Sequence, residues 1–520
     1  MGRVVGVGPP RPEWASLVRA FAIMERRTAM TLAKLEQARG REPDLLERME
    51  AAQPEHDHGG KRAASSEYLP LVDFAICVDF PLQSATISRC QRRSADMSTF
   101  ARTVLAAFSA ALFLSGCVET SSVDAPASTV TANIAALHQQ TDTQVTKYAS
   151  WDIPEYVKPD PNYATLRHHL RKQMNDQHRY NKYTVRASSN PYEFSFAEQT
   201  SSLLHEQIQT TSLLSYLYFD DGAVIYDEFT SKEMFGDIVN PNTQLLSNSL
   251  GKSMVSYVLG HAICAGFIES VDKRIDDWPL VENTVYENQR LIDLLNMRAG
   301  DEQHVHDSKG LLRSGRWFNV HSIKSFANNE LRGSKPSTGE ASRRYHYNGL
   351  VTNIIMNYVI HKTGGNFQAV LNETFQRKAR IQRPVYFLIN RGHGAQDGAA
   401  WYMFYATRYD YLRIARAMMS DWQNDTCVGK YLKTVYARAG SKGEGPHSKA
   451  RFNSARYGGQ FHIGYRGMGN RRILGMDGYG GQTILIDMDN SRIVVANSIH
   501  TDYDWRGLIY NAIQSGKLPR

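Results

Sequence analysis

From residue 249 to residue 265, apolar side chains recur at Leu250, Met254, Val255, Val258, Leu259, Ala262 and Ile263. That i, i+4, i+5, i+8, i+9 spacing predicts a helix burying one face. Gly266 supplies the stop. Ser247, Asn248 and Ser249 are all helix-capping types, so the helix is expected to begin within that triplet. Upstream the period changes to two: residues 213–219 and 223–229 alternate as strands about an Asp220-Asp221-Gly222 turn and predict a hairpin. Further strands are predicted near 460–466 and over 482–487 and 492–499, with a closing helix over 505–514. Residues 400–419 are assigned to a helical region. His168 and His169 fall in a basic helix and are expected on its solvated surface.

Chemistry enters with Ser249-Leu250-Gly251-Lys252. Side chains three apart on a helix lie about 5 to 6 Å apart at Cβ, so Lys252 reaches the Ser249 hydroxyl. A lysine held out of water near the positive end of a helix can accept a proton or act as a fixed charge that makes the serine more acidic. Gly251-Lys252-Ser253 copies the end of a phosphate-binding loop, but that motif's upstream glycine position is Leu246, which excludes an ATPase.

Two further elements follow in order. Tyr345-His346-Tyr347-Asn348-Gly349 leads into a helical pattern ending at Thr363-Gly364-Gly365, and Tyr479-Gly480-Gly481-Gln482 precedes the 482–487 strand. Over roughly residues 212–514, these motifs resemble the penicillin-recognising serine hydrolases. The similarity is to their class C beta-lactamase-like branch, with its esterases, D-amino-acid peptidases and 6-aminohexanoate-dimer hydrolases. Residues 291–300 resemble the helix-then-glycine segment that follows the nucleophile helix there. The resemblance implies an α/β fold of the α+β type: an antiparallel sheet flanked by helices, with a mostly helical inserted region.

It also implies Ser249 as the acylated nucleophile, Lys252 as its activating partner and Tyr347 as the catalytic tyrosine, with Tyr345 the alternative if the register slips by two. Tyr479, Gly480, Gly481 and Gln482 would form a strand beside the nucleophile, with Asn348 also at the substrate. The Gln482 and Ser249 N–H groups would make the oxyanion hole. No cofactor is called for. The usual lysine of the third motif is Tyr479 here, and the asparagine expected two residues past the tyrosine is Gly349. Both departures point away from lactams, toward a small-molecule ester or amide. A beta-lactamase or D-amino-acid carboxypeptidase acting on cell-wall peptides is the alternative enzyme, and a non-catalytic ligand-binding lipoprotein the alternative outside catalysis.

The N-terminal third sets the compartment. A short basic lead from Met97, an apolar run over 103–112 and Leu114-Ser115-Gly116-Cys117 match a bacterial lipoprotein signal with a lipobox, in which Cys117 would be lipidated. The rival reading, from the helical pattern over 14–50, is a cytosolic helical segment with 103–112 a buried helix and Cys117 an ordinary thiol. The expected organisation is an N-terminal extension over 1–96, with translation starting at Met97, and a signal peptide over 97–117. A Ser/Thr/Ala-rich tether and helical region over 118–190 and a hydrolase domain over 191–520 complete it. The protein is thus expected in the cell envelope, lipid-anchored to the membrane and facing the periplasm, with the outer membrane favoured.

Composition adds little. The net charge of +8 is dispersed among acids, and no reading-helix or RNA-platform motif occurs, so nucleic acid is excluded as a partner. The His56-Asp57-His58 and His304-Val305-His306-Asp307 spacings lack a matching third ligand, and no metal site is assigned. Five cysteines do not make a disulfide scaffold. Cys264 is expected to be buried and inert, with a bridge to Cys427 left open; the sequence does not fix the oligomeric state.

Overall fold

The computed structural model describes residues 144–148, 153–154, 157–306, 311–316, 318, 321–336, 344–443 and 454–518. The chain divides into two units, 1–120 and 121–520. All described residues belong to the second. The extension, the signal segment with Cys117 and the His56–His58 spacing lie outside them.

Along the chain run α1 (Tyr163–Asp176), β1 (Asn181–Val185), β2 (Ser195–Phe196), α2 (Ser202–Thr210), β3 (Leu213–Asp220), β4 (Ala223–Phe229) and β5 (Leu245–Leu246). Next come α3 (Gly251–Cys264), α4 (Leu291–Leu295), α5 (Gly349–Thr363), α6 (Phe367–Leu371), β6 (Val385–Ile389), β7 (Ala400–Ala406), α7 (Arg408–Gln423) and α8 (Cys427–Ala437). The last stretch holds β8 (Gly440–Ser441), β9 (Ser454–Gly458), β10 (Phe461–Tyr465), β11 (Ile473–Gly478), β12 (Gln482–Asp487), β13 (Arg492–Ser498) and α9 (Asn511–Ser515).

The main sheet has the order β2-β4-β3-β13-β12-β11-β10-β9-β8 and is antiparallel apart from the short β2–β4 pair. Alternation along its strands feeds two cores. Leu217, Phe219, Ile484, Ile486, Ile493 and Val495 join the larger core with α3, α5 and α7. Tyr216, Tyr218, Leu485, Val494 and Ala496 pack on the other face with Leu204, Ile208, Leu508 and Ile513. The result is an α+β protein with helices on both faces of an antiparallel sheet. A smaller sheet, β1-β6-β7-β5, packs within the same body, so residues 181–185 belong to it although they precede residue 191.

Four expectations change. Residues 400–406 form β7, not helix: the uninterrupted run Ala-Trp-Tyr-Met-Phe-Tyr-Ala is buried throughout, and Thr407 caps α7 only afterwards. A short run of that kind fits a doubly covered strand as well as a buried helix, and its aromatic content decides for the strand. The closing helix begins as a wide π-type turn over Arg506–Tyr510 before α9. His169 is fully buried in α1 against Tyr148, not solvated. Cys264 is bonded to Cys427, joining α3 to the start of α8.

Candidate active site

Helix α3 is enclosed all round. From Leu245 to Ala262 every residue is buried except Ser249, which is partly accessible. Three polar side chains inside are matched: the Ser253 hydroxyl donates to the Gln460 carbonyl at 2.6 Å, Ser256 meets the Tyr431 hydroxyl at 2.7 Å, and the Tyr257 hydroxyl donates to Asp421 at 2.6 Å. A run that looks amphipathic in sequence is therefore a buried helix with hydroxyls on its polar face hydrogen-bonded.

The turn that carries Ser249, the candidate nucleophile, precedes α3 rather than opening it. Asn248–Leu250 form a 3-10 turn, and the α-helix starts at Gly251. Asn248 has φ of 48°, the left-handed region, which non-glycine residues occupy at a cost and asparagine more readily than most. Ser247 ties the turn to β7: its N–H donates to the Phe404 carbonyl and its hydroxyl accepts from the Phe404 N–H, at 2.8 and 2.9 Å. Gly251 is required because β7 passes so close that a Cβ would lie 2.1 Å from the Tyr402 carbonyl oxygen.

Lys252, 1% exposed, donates from Nζ to Ser249 Oγ at 2.8 Å. The same Nζ lies 4.7 Å from the Tyr347 ring centroid and 4.0 Å from that of Tyr402. Ser249, Lys252 and Tyr347 therefore meet at one point, with Tyr402 of β7 completing an aromatic cradle for the cation. Tyr402 was missed because its run was assigned to helix. Tyr345 packs 5.5 Å from Tyr457, and burial, reinforced by Tyr347 and Asp477, pushes its phenol well above the usual range, so it stays protonated.

The remaining sequence candidates divide. Asn348 is fully buried and caps α5: its carbonyl oxygen accepts from the Val351 N–H at 3.0 Å and its amide donates to the Asp301 carboxylate at 3.1 Å. Its side chain is thus engaged away from a substrate, correcting its expected binding role. Tyr479, Gly480 and Gly481 form the turn between β11 and β12 rather than a strand, with φ of 80° and 98° at the two glycines. This turn still borders the nucleophile, since Asn248 Nδ2 donates to the Tyr479 carbonyl at 2.8 Å. Gln482 opens β12 opposite Gly478, and its side chain turns into the sheet, donating to the Ser498 carbonyl and accepting from Asn497. Gly478 was also missed: a Cβ there would sit 2.2 Å from the Ser247 carbonyl oxygen, so only glycine lets β11 approach the nucleophile turn.

Behind the tyrosines lies a second polar cluster. Tyr457 stacks edge-on against Tyr347 and His462, at 5.8 and 5.1 Å. Lys442 Nζ is 2.8 Å from His462 Nδ1 and donates to Ser454 Oγ at 2.5 Å. Burial lowers Lys442 to about 8, with Asp477 working the other way. Burial, aided by the charges of Lys442 and Lys252, holds His462 well below its usual range, so its imidazole is neutral. Among the described residues no group of three or more His, Cys, Asp or Glu side chains is placed to hold a metal ion.

No family model matches the sequence. No curated protein matches it either. Solved structures do. A protein from Bacillus anthracis, assigned as a 6-aminohexanoate-dimer hydrolase, aligns over 72% of this chain and 100% of its own, with 16% identity and a TM-score of 0.52. A penicillin-binding protein from Bacillus halodurans aligns over 60% of this chain and 100% of its own, with 14% identity and a TM-score of 0.44. A class C beta-lactamase from Rhodobacter sphaeroides aligns over 58% and 92%, with 14% identity and a TM-score of 0.40. A central antiparallel sheet covered by helices, with a serine turn between the two sheets, is the fold this chain shares with the Bacillus anthracis protein.

Proposed function

We propose that the protein is a serine hydrolase that works through an acyl-enzyme on a small ester or amide. The observation that carries this reading is one accessible hydroxyl, Ser249, in an otherwise buried segment, with a buried lysine nitrogen 2.8 Å away. In the proposed reaction Ser249 Oγ attacks the substrate carbonyl carbon while its proton passes to the Lys252 and Tyr347 pair. The tetrahedral oxyanion is held by backbone N–H groups at the nucleophile turn and at Gln482. Collapse breaks the ester or amide bond, and the same pair returns the proton to the leaving alcohol or amine. Water then attacks the acyl-enzyme, releasing the acid and restoring the serine. Tyr479 where related enzymes carry lysine favours esters and linear amides over lactams.

Membrane attachment through lipidated Cys117, facing the periplasm, completes the reading. Its support is the basic lead, apolar run and lipobox in sequence, together with the Cys264–Cys427 disulfide, which belongs to an oxidising compartment. Mass spectrometry of the membrane fraction tests it: an acylated N-terminal cysteine at 117 is expected, and a free N-terminus upstream overturns it. The catalytic reading is tested by intact-mass detection of a fluorophosphonate adduct. One adduct, absent from Ser249→Ala, is expected; equal labelling of both proteins moves the nucleophile elsewhere.

A further inference from the structure

The far end of helix α3 also meets a cleft. About 18 Å along the helix from Ser249, His261 borders a cleft of about 420 Å³ between the end of α3, the turns following α6 and the start of α8. That volume lies within the range of small-molecule sites. Phe267, Val370 and Val428 give it apolar walls, and Arg377 and Lys378 lie on its border.

Three features favour an anionic guest. Helix α8 points its N-terminal end at the cleft, since Thr426, Cys427 and Val428 line it, and Thr426 Oγ1 accepts only the Gly429 N–H at 3.1 Å. The first-turn N–H groups of Cys427 and Val428 are of the kind a helix leaves for an outside acceptor, at the positive end of its dipole. Next, His261 is 5% exposed and its buried Nε2 has no hydrogen-bond partner, an unmet need at the cleft wall. Burial lowers this imidazole to about 4, so at neutral pH it keeps one donor and one acceptor nitrogen.

Finally, of the two acids of the cleft, Glu373 has a cationic partner and Asp421 is turned to two hydroxyls. Asp421 accepts from the Tyr257 and Thr426 hydroxyls at 2.6 and 2.8 Å, and Glu373 pairs with Arg377. Lys378 and the helix end make the positive side.

We propose that this cleft is a binding site, separate from the Ser249 centre, for a small organic anion with a carboxylate head and a short apolar tail. The head sits between Lys378, the start of α8 and His261, and the tail lies against Phe267 and Val370.

Calorimetric titration of the intact, disulfide-bonded protein tests this with sodium pentanoate, pentylammonium chloride and 1-pentanol as probes. Saturable binding of pentanoate, absent for the other two, is expected. Lys378→Glu should weaken it about ten-fold. Ala369→Trp, which fills the cleft from an exposed position, should abolish it. Both variants should keep the wild-type melting temperature and fluorophosphonate reactivity. The proposal is overturned by no saturable heat up to about 20 mM pentanoate, by equal binding of pentylammonium, or by binding that survives in both variants.

Discussion

Among the described residues two buried lysines are each hydrogen-bonded to a serine hydroxyl, and their settings differ. Lys252 reaches Ser249 at 2.8 Å and Lys442 reaches Ser454 at 2.5 Å. Ser249 stands on a 3-10 turn open to solvent. Ser454 starts β9, is 2% exposed and shares its lysine with His462. A lysine beside a serine therefore occurs here both with and without an accessible hydroxyl. What separates the two pairs is access to the hydroxyl, and access comes from the left-handed Asn248 and the glycines that let two sheets close around the turn.

Breaking each pair in turn should separate them. Ser249→Ala is expected to lower turnover of a model ester about a thousand-fold or more. Ser454→Ala should leave turnover nearly unchanged and instead lower stability by about 1 to 3 kcal/mol, because a buried amine loses a partner; steady-state kinetics and urea unfolding read the two effects. Lys252→Met should cost about a hundred-fold or more in kcat, whereas Lys442→Met retains activity. Comparable losses in the two lysine variants would erase the distinction.

Gly478→Ala sharpens the role of access. Its Cβ would push on the Ser247 carbonyl, and kcat/KM is expected to fall about ten-fold or more through misplacement of the nucleophile. Unchanged kinetics would mean that the turn adjusts freely.

The smallest effect concerns pH. The folded state lowers Lys442 from 10.5 to about 8, so between those values the unfolded chain binds more protons. The stability tied to this group is present in full above about 10.5 and is lost as pH falls to about 8. Melting curves of wild type minus Lys442→Met should show that slope in this window, and a flat difference would place the amine in water.

Strands were the most legible part of the chain. Ala223–Phe229 and Gln482–Asp487 appear with the boundaries read from alternation and turn residues, because one face of each packs differently from the other. Ala400–Ala406 carries no period, being covered on both sides, and Tyr402 was hidden with it. At the candidate site, Ser249 and Lys252 were visible as residue types at fixed spacing, whereas Tyr347 was implied by the family resemblance, with Tyr345 as its alternative. Asn348 was misjudged because the same side chain suits a substrate or a helix cap, and only the Val351 and Asp301 contacts decide between them. The tight approaches at Gly251 and Gly478 join segments far apart in sequence, so no local pattern announces them.

The pairing of β3 with β13 sets an order of assembly. Strand β3 lies inside the main sheet, yet the partner on its open side is made more than half a chain length later, with Arg492 opposite Asp220 and Ser498 opposite Leu213. Until β13 arrives, the β3–β4 hairpin presents an unpaired apolar edge, the kind of surface that templates aggregation. A growing chain therefore cannot close the sheet beside its nucleophile turn early. That edge stays uncovered until residues 492–498 are made, so a chain ending before residue 492 lacks the strand that protects it.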